Sequence, residues 1–359
     1  MTESTSSEAL GGRLLTALTG AAELMTIELG RVLGLYDALR GQNLTAAELA
    51  KTAGIDQRYA REWLEQQAAA GILAVATATP DPDARAFTLP EPAAAVLLDA
   101  GGPYYLGVAG QFAVGLGLVT PRVVEAFRTG AGVPYADYGV HFRHGIAELN
   151  RPMFNHQLAT EWLPAVPEIH DRLRSSPAAR VLDLGCGVGN SSVTLALAYP
   201  SITVRGVDLD EASIAEARRN AAAAGVADRV TFTVGDAASL SDLGRFDLIT
   251  IFEALHDMAE PVAVLTAARA QLADGGSVFI GDERVADEFA PPADEVERLQ
   301  YAFSVLHCLP ATRAEGTDAA NGTCLRAPTL IGWATAAGFG KPEVLDIEND
   351  FWRFYRLHD

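Results

Sequence analysis

The second half of the chain alternates between short, mostly apolar runs and longer segments in which apolar residues recur every three or four positions. The short runs are typical of buried strands, and the longer segments are typical of helices. In chain order, the strand-like runs are ARVLDLG, ITVRGVDLD, RVTFTVGD, FDLITIF and GSVFIGDE, with SSVTLALAYP, EASIAEARRNAAAAG and PVAVLTAARAQLADGG as helices. A last helix, LIGWATAAGF, and two closing strands, KPEVLDIEN and FWRFYRLHD, follow. This order predicts an α/β fold built on a parallel sheet with helices on both faces.

The N-terminal part has a different pattern, in which three helices precede two short strands. LMTIELGRVLGLYDALRG is amphipathic, LTAAELAKTAGI has Thr45 as its N-cap, and DQRYAREWLEQQAAAGIL is capped by Asp56 and closed by Gly71. ILAVATA and AFTLP are the two strands, and a turn at residues 80–83 joins them. Helix, helix, helix and β-wing is the order of a winged helix-turn-helix.

These patterns divide the chain into four parts. Residues 1–20 are predicted to be a disordered tail without a signal peptide, and 21–100 form the mostly helical winged-helix domain. Residues 101–177 are predicted to be a helical segment that covers a site, ending in one amphipathic helix, RPMFNHQLATEWLPAVPEIHDRL. Residues 178–359 form the α/β domain. The uncharged run from residue 100 to 121 is interrupted by glycines, which favours a buried helix over a membrane span.

Charge and cysteine content narrow the class of protein. The 359 residues contain 27 Lys and Arg against 46 Asp and Glu, so the formal net charge is −19. This charge repels nucleic-acid phosphates and anionic membrane surfaces, and it suits a cytoplasmic enzyme with a small ligand. The three cysteines at 186, 308 and 324 lie far apart and show neither metal-ligand nor redox spacing, so we expect reduced thiols and no metal.

A glycine-rich turn, DLGCGVGN at residues 183–190, follows the first strand of the α/β domain. Glycines at a strand-to-helix turn let a ligand approach the backbone closely. The spacing G-x-G-x-G differs from the dinucleotide fingerprint, since Asn190 stands where the third glycine would fall. The preceding carboxylate, Asp183, opposes a pyrophosphate but suits an ammonium or a sulfonium group.

Two further acids end the next two strands. Asp208 can accept hydrogen bonds from ribose hydroxyls, and Asp236 can accept one from the amino group of an adenine, with Leu209 and Ala237 beside the ring. The carboxyl ends of neighbouring parallel strands meet in one crevice, so these acids are expected to converge there. A simpler alternative is that Asp183 caps the following helix and Asp236 is an ordinary turn residue.

Together, VLDLGCGVGNSS, GVDLD and GDA resemble the successive cofactor motifs of class I S-adenosylmethionine-dependent methyltransferases, over residues 178–359. With the winged helix, the chain resembles O-methyltransferases of plants and actinomycete natural-product pathways, and bacterial methyltransferases once assigned as regulators. The resemblance implies a Rossmann-like seven-stranded sheet, S-adenosyl-L-methionine as cofactor, and a homodimer formed through the N-terminal domain. The residues expected to contact the cofactor are Asp183, Gly185, Cys186, Gly187, Asn190, Asp208, Leu209, Asp236, Ala237 and Phe252.

The segment FEALHDMAEP at the end of the fourth strand matches the place where these O-methyltransferases carry a His-Asp pair. The resemblance therefore implies that His256 is the catalytic base, with Asp257 beside it. The plant enzymes have tryptophan in place of Met258 and lysine in place of Phe252, so the match is incomplete. The alternatives are that His256 is a structural residue or only positions the substrate, and that Asp257 and Glu260 cap the helix that begins near residue 261. Asp282 and Glu283, which end the fifth strand, are other candidates for orienting the histidine.

The acceptor pocket is expected to be formed by the middle helices and by the insertion after the fifth strand. Phe154 and Asn155 resemble an FN element that these enzymes carry on a helix over the cofactor. Aromatic and sulfur-bearing side chains indicate a small, apolar or aromatic acceptor, methylated at a hydroxyl oxygen or else at nitrogen or carbon. The candidate substrate-binding residues are Met153, Phe154, His156, Glu283, Tyr301, Ser304, His307 and Cys308.

The winged helix also raises the alternative of a DNA-binding regulator that senses S-adenosylmethionine. Arg58 and Arg61 on the second long helix of this module are offset by Glu62 and Glu65, and the wing tip at 80–83 carries two aspartates and no lysine. DNA-reading helices and wings normally neutralise phosphates. We therefore expect no nucleic-acid partner, and expect Tyr59, Trp63 and Leu64 to face a core or a second copy of the chain.

Overall fold

The computed structural model describes residues 6–240, 243–315 and 321–359. The chain separates into two compact units, one comprising Met1–Gly117 with Val140–Pro152 and the other comprising Leu118–Gly139 with Met153–Asp359. The predicted middle region, 101–177, is therefore divided between the two units instead of forming a part of its own.

The first unit contains a small winged-helix module. Its antiparallel sheet has the order β1-β3-β2, which confirms the predicted β-wing. The helices are α1 (Ser7–Val32), α2 (Leu35–Leu39), α3 (Ala46–Ala53), α4 (Gln57–Ala69) and α5 (Glu91–Leu97), and the strands are β1 (Leu44–Thr45), β2 (Ala74–Thr77) and β3 (Ala86–Thr88).

Capping residues fix the helix starts of this module where the sequence predicts them. The Thr45 side chain accepts from the backbone N–H of Glu48, whose carboxylate accepts from the backbone N–H of Thr45 at 2.8 Å, forming a capping box. Asp56 accepts from two backbone N–H groups of α4. Gly71 follows the end of α4 with a φ of +75°.

Two predictions in this unit are wrong. The predicted tail is helical from Ser7, because Ser6 caps α1 through the backbone N–H of Ala9 and leucines recur at helical spacing behind it. The single helix predicted from residue 24 to 41 breaks at Gly34, whose φ of +66° ends one helix before the next begins. Trp63 and Leu64 are buried in a core, as predicted, whereas Tyr59 is 78% exposed, so its contact with a second copy of the chain stays a prediction.

The middle of the chain is helical, as predicted, with two long helices on either side of a short turn. These are α6 (Ala109–Thr129), a 3-10 turn (Tyr135–Tyr138) and α7 (Gly139–Met153). The predicted helix over 151–173 is instead a π-helical segment (Phe154–Trp162) and, after a break, α8 (Pro167–Arg174). Pro167 occupies the first turn of α8, where a missing N–H costs nothing. Among the residues that the structure describes, no helix combines the length and apolarity needed to cross a membrane.

The second unit is built on a seven-stranded sheet with the order β6-β5-β4-β7-β8-β10-β9. Strands β4 to β8 run parallel, and β10 inserts antiparallel between β8 and β9. The strands are β4 (Arg180–Leu184), β5 (Thr203–Asp208), β6 (Val230–Val234), β7 (Phe246–Phe252), β8 (Leu272–Glu283), β9 (Lys341–Leu345) and β10 (Trp352–His358). This confirms the predicted Rossmann-like α/β fold.

The helices of this unit cover both faces of the sheet, as the alternating pattern predicts. They are α9 (Asn190–Ala198), α10 (Glu211–Ala223), α11 (Pro261–Ala270), α12 (Glu295–Phe303), α13 (Leu309–Ala314) and α14 (Ala327–Ala336), and a π-helical turn (Ser304–Cys308) joins α12 to α13. On one face an aromatic cluster includes Phe154, Trp162 and Trp352, and on the other face aliphatic residues such as Ile249 and Leu265 pack together. This double core holds the carboxyl ends of β4, β5, β7 and β8 in fixed positions.

Candidate functional site

The glycine-rich turn lies where β4 ends between its two neighbours. Leu184, the last residue of β4, pairs with Val207 of β5 and Ile251 of β7. Gly187 has a φ of +51°, and a Cβ placed on it would meet no atom within 4 Å. A bare stretch of backbone therefore faces open space at the carboxyl end of the sheet, where a ligand can approach closely.

Asp183 lies beneath this turn and not on its open side. It is 1% exposed, and its carboxylate accepts from the Ser191 and Ser192 hydroxyls at 2.6 Å and from Thr250 Oγ1 at 2.8 Å. Burial raises the pKa of Asp183, although the three hydroxyl donors stabilise the charged form. This carboxylate ties the first turn of α9 to the sheet, and its predicted cofactor contact stays a prediction.

Asp208 links the end of β5 to the glycine turn. Its Oδ2 accepts from the backbone N–H of Gly187 at 2.8 Å, and its Oδ1 accepts from the backbone N–H of Asp210 at 2.9 Å. Burial raises the pKa of Asp208, and the two backbone donors oppose that rise. Each carboxylate oxygen keeps a lone pair after these bonds, so the side chain retains capacity for two hydroxyl donors.

The third predicted acid, Asp236, is exposed and serves as a turn cap. It accepts from the backbone N–H of Ala238 at 2.8 Å and from the Ser239 hydroxyl at 3.2 Å. Asp236 therefore makes the local hydrogen bonds of an ordinary turn residue, as the alternative predicts. Leu209 is 57% exposed while Ala237 is buried, so only the leucine offers a large free apolar surface here.

Two predicted cofactor residues direct their side chains into the core. The Cys186 side chain is buried on the face of the sheet that carries the aromatic cluster, and its backbone belongs to the glycine-rich turn. The Phe252 ring stacks on Trp352 at 6.1 Å and contacts Phe154 edge-on at 5.4 Å. Asn190 begins α9 immediately after the turn. Packing uses the Cys186 and Phe252 side chains in the structure described, and their predicted cofactor contacts stay predictions.

The strongest constellation lies at the ends of β7 and β8. His256, 2% exposed, points Nδ1 at Asp282 Oδ1 at 2.8 Å, and its backbone N–H lies 3.3 Å from Asp282 Oδ2. Asp282 is fully buried and also accepts from the backbone N–H of Glu283 at 2.9 Å. A buried carboxylate that holds one ring nitrogen fixes the imidazole plane and leaves Nε2 for chemistry.

Asp257 stands on the other side of the ring. Its Oδ1 lies 3.4 Å from His256 Nε2, so the residue that orients Nδ1 is Asp282, not the predicted Asp257. The helix-cap alternative is also wrong, since α11 begins after Glu260 without any side-chain cap bond and Asp257 belongs to a separate 3-10 turn. Burial alone would lower the pKa of His256, but the two carboxylates outweigh it and hold that pKa well above its usual range.

The histidine is close to the glycine turn. A Cβ built on Gly185 would lie 2.6 Å from the Cβ of Ala254, which is two residues before His256. Glu253, the residue directly before Ala254, has a φ of +48°, the only positive φ of a non-glycine residue in the described part of the chain. Strained backbone of this kind is concentrated at functional sites. The turn after β4 and the turn after β7 therefore form one continuous rim.

The predicted acceptor residues after β8 divide into two groups. His307 and Cys308 are buried, and the His307 ring packs edge-on against Tyr138 with a centroid separation of 4.6 Å. Burial lowers the pKa of His307 to about 4 and raises the pKa of Cys308 to about 12, so both side chains are neutral. Ser304 is buried too and accepts from the backbone N–H of Thr323 at 3.2 Å. These neutral groups favour an apolar, aromatic ligand.

The second group is polar. Glu283, 7% exposed, accepts from Gln300 Nε2 at 2.6 Å, and burial raises the pKa of Glu283 well above its usual range. The Gln300 amide also donates to Phe351 O at 3.1 Å, while its buried Oε1 has no hydrogen-bond partner among the described residues. Tyr301 is held instead by Arg326 at 2.7 Å. Gln300 was missed because nothing in an amphipathic helix marks one glutamine as buried.

The residues on the π-helical segment are not brought to the histidine as a group. Phe154 is buried in the aromatic cluster and Met153 packs beside it, with Asn349 Nδ2 3.9 Å from its sulfur. His156 is exposed, and so is Asn155, whose side-chain oxygen accepts from Thr194 at 3.3 Å. The Phe154 ring is therefore part of the core and His156 lies at the surface, and their predicted substrate contacts stay predictions.

Comparison with known families agrees with this architecture. Residues 175–319 match a family described as a methyltransferase domain, and residues 21–98 match the Rv2258c-like winged HTH domain. The chain is 32% identical over 122 residues to the 27-O-demethylrifamycin SV methyltransferase of Amycolatopsis mediterranei, covering 34% of this chain and 44% of that one. It is 33% identical over 122 residues to the ubiquinone biosynthesis O-methyltransferase of Azotobacter vinelandii, covering 34% and 49%. The chain thus spans under half the length of these curated relatives.

Solved structures show the same fold over the whole length. An O-methyltransferase family protein from Burkholderia thailandensis has a TM-score of 0.71 and 19% identity, covering 99% of this chain and 98% of that one. Human N-acetylserotonin methyltransferase, solved in complex with SAM, has a TM-score of 0.68 and 16% identity, covering 100% and 99%. At such low identities the likeness shows a shared fold.

Proposed function

We propose that this chain, which carries a methyltransferase domain of the S-adenosylmethionine-dependent class, transfers a methyl group to a hydroxyl oxygen of a small, mostly apolar or aromatic molecule. The observation that carries the proposal is the His256–Asp282 pair, buried at the ends of β7 and β8 beside the glycine turn. Hydroxyl acceptors must lose a proton as they are methylated, and a fixed imidazole is the side chain best suited to take it.

The residues around the glycine turn fit the cofactor. Gly187 leaves open space where a side chain would otherwise stand, and Asp208 beside it keeps a free lone pair on each oxygen. We assign the ribose to Asp208 and the adenine to the rim formed by Leu209, Asp236 and Ala237. When bound, S-adenosylmethionine supplies a methyl group on a positive sulfur, so no covalent nucleophile is needed from the protein.

Within this proposal His256 is the general base. Asp282 holds Nδ1 and thereby directs Nε2 away from the sheet, where it would take the proton of the acceptor hydroxyl. A base needs a neutral ring, and a positive sulfonium nearby favours the neutral ring over the imidazolium. Asp257, 3.4 Å from Nε2, is assigned to stabilise the positive charge that the ring gains.

The acceptor's character follows from the neutral aromatic wall formed by Tyr138, His307 and Cys308. The relatives' printed names, an antibiotic methyltransferase and a ubiquinone-pathway O-methyltransferase, support hydroxyl methylation of a ring-containing small molecule such as a natural product. The three free cysteines suit the cytoplasm as the place of this reaction.

The experiment that tests this function is release of S-adenosylhomocysteine by the full chain with a panel of phenols. Mass spectrometry and proton NMR of the product then show which atom carries the new methyl group. We expect an O-methyl product. A methylamine or C-methyl product would replace the hydroxyl assignment, and no release with any acceptor class would remove the enzymatic proposal.

We also propose that the chain forms a homodimer through its N-terminal helix. One side of α1 exposes a row of large apolar residues at intervals of three, four and seven, which is a stripe suited to a second copy of the chain. These residues are Leu10, Leu14, Leu18, Met25, Leu29 and Val32. Light scattering after size exclusion should give a dimer for the wild type and a monomer for Leu14→Glu with Leu18→Glu. A monomeric wild type would refute this assignment.

The regulator alternative is disfavoured by the local charges of the winged helix. Arginines of α4 and the wing are already neutralised by neighbouring acids, which leaves little positive charge for phosphates. The pairs are Arg58–Glu62 at 2.5 Å, Arg61–Asp83 at 3.5 Å and Arg85–Glu65 at 2.7 Å. A gel shift at low salt that gave a tight, sequence-specific complex would overturn this conclusion.

A further inference from the structure

We propose that His256, Asp257 and Cys308 form a binding site for a divalent transition-metal ion such as Zn²⁺, and that the bound ion switches methyl transfer off. One donor atom from each of the three side chains lies within 4.8 Å of the other two. The three come from the turn after β7 and from the π-helical turn before α13, so sequence spacing gives no sign of this cluster. The switching part rests on the proposed role of His256, whereas the binding part does not.

The carboxylate in contact with His256 Nδ1 forms an arrangement typical of a metal-binding histidine. Asp282 takes His256 Nδ1 at 2.8 Å, which fixes the ring's orientation and leaves Nε2, 3.4 Å from Asp257 Oδ1, as the nitrogen that can bind an ion. Protein metal sites regularly contain such carboxylate–histidine pairs, because the carboxylate sets the tautomer and raises the basicity of the ligating nitrogen. Both His256 and Asp282 are buried, so the donor cannot swing away from the cluster.

The carboxylate in front of the histidine supplies an independent observation. Asp257 Oδ1 is buried without a hydrogen-bond partner among the described residues, and it lies 3.4 Å from His256 Nε2. A buried carboxylate oxygen without a donor is costly, and an ion is one of the few groups that satisfies it. Two carboxylates, Asp257 and Asp282, flank a single imidazole, so the pocket favours added positive charge.

The backbone holds the third ligand in place. Thr312 Oγ1 lies 2.8 Å from the carbonyl oxygen of Cys308 and 3.2 Å from that of Asp257, so one hydroxyl ties the two ligand-bearing turns together. Cys308 Sγ also lies 3.4 Å from His307 Nδ1. The cysteine is therefore presented to the cluster by a braced turn and not by a flexible loop.

Distances and donor types select the ion. In a tetrahedral zinc site, bonds of about 2.0–2.3 Å place neighbouring ligand atoms roughly 3.3–3.8 Å apart. The 3.4 Å separation of His256 Nε2 and Asp257 Oδ1 already matches, and the Cys308 sulfur needs to move by at most about 1.5 Å from the 4.8 Å limit. One imidazole, one carboxylate and one thiolate suit Zn²⁺ or Co²⁺, and they do not suit Mg²⁺ or Ca²⁺, which prefer oxygen ligands alone.

The consequence for the reaction is direct. As the ion binds, the Cys308 thiol and the protonated His256 Nε2 each release a proton to solvent, and the lone pair of Nε2 is committed to the ion. The same lone pair would take the acceptor's proton in the proposed reaction. The metal-bound protein should therefore be inactive, and removal of the ion should restore activity.

The test is titration of the full chain with Co²⁺, whose thiolate complexes absorb strongly in the near ultraviolet. We expect such a band in the wild type, its loss in Cys308→Ser, and its retention in the matched control Cys324→Ser, which alters the half-buried cysteine outside the cluster. Asp282→Asn should keep the band but weaken Co²⁺ binding about 10- to 100-fold, as loss of an outer carboxylate does. Circular dichroism checks that each variant folds.

Absence of a thiolate band in the wild type would overturn the proposal, and so would an unchanged band in Cys308→Ser. If Cys308→Ser fails to fold, Asp257→Asn replaces it, and equal Co²⁺ affinity in that variant would refute the site. Zn²⁺ should also abolish S-adenosylhomocysteine release and a chelator should restore it. Turnover that persists with saturating Zn²⁺ would remove the switching part. Co²⁺ binding without turnover on any acceptor would instead count against the proposed function alone.

Discussion

Replacing Asp208 with asparagine tests the ribose assignment most directly. Each oxygen of this carboxylate accepts one backbone N–H, from Gly187 at 2.8 Å and from Asp210 at 2.9 Å. An amide has only one acceptor oxygen, so Asp208→Asn must turn an N–H₂ group toward one of these two donors. The glycine turn then loses one of its anchors before any ligand is considered.

The magnitude of the binding loss follows from the hydrogen bonds to the ligand. A buried backbone donor left without an acceptor costs about 1–3 kcal/mol, and this lowers the free energy of unfolding of the free and the bound protein alike. A hydrogen bond to a charged group contributes about 1.5–3 kcal/mol, so loss of the charged acceptor predicts a loss of that size in cofactor binding. This corresponds to roughly 10-fold to 150-fold in Kd. Calorimetric titration with S-adenosylhomocysteine measures this loss.

The control is Asp228→Asn, which removes the same charge from an exposed aspartate at the opposite, amino end of β6. We expect its Kd to match the wild type. If Asp208→Asn bound S-adenosylhomocysteine within about threefold of the wild type, the ribose assignment would fail.

Three further predictions concern residues of the turns after β4 and β7 and of the adjacent strand end, and they address stability, its pH dependence and turnover. Gly189→Ala should lower the free energy of unfolding, measured in urea, by about 2–5 kcal/mol, because its φ is +81° and the new Cβ would lie 2.6 Å from the Phe232 ring. Gly187→Ala places its Cβ in open space and should lower the same free energy by only about 1–2 kcal/mol. Equal losses in the two variants would refute the packing argument. Burial raises the pKa of Asp183, so the folded chain holds this proton more tightly than the unfolded chain, and wild-type stability should fall relative to Asp183→Asn as pH rises from about 4 toward the folded pKa; parallel profiles would contradict it. His256→Gln should reduce kcat by about 10²–10⁴-fold, and near-full turnover would exclude it as the base.

The patterns in the sequence were sufficient for the architecture. Alternating strands and helices predicted the sheet, and Thr45 and Asp56 start the helices that they were expected to cap. Such features depend on neighbours along the chain, so local sequence contains them. The limits of this reasoning appear at residues 7–20, where the sequence predicts a tail and the structure has a capped helix, whose leucines are exposed in the described part of the chain.

For the site, sequence motifs located the correct turns but did not predict the direction of each side chain. Asp183 and Asp208 both end strands, yet one points beneath the glycine turn and the other toward it. Phe252 is expected at the cofactor, and its ring stacks on Trp352, which is 100 residues away in sequence. Packing between distant segments decides such orientations, and no local pattern records it.

The same division applies to the histidine. The sequence by itself determined that a His-Asp pair follows β7 at the carboxyl edge of a parallel sheet. The reason is that strands alternating with helices along the chain predict a sheet whose strands run parallel. Only the tertiary structure decided that Asp282, and not the adjacent Asp257, holds the ring, and that Cys308 approaches it. Neighbouring residues on a tight turn point in different directions, whereas partners from another strand can face each other across a fixed distance.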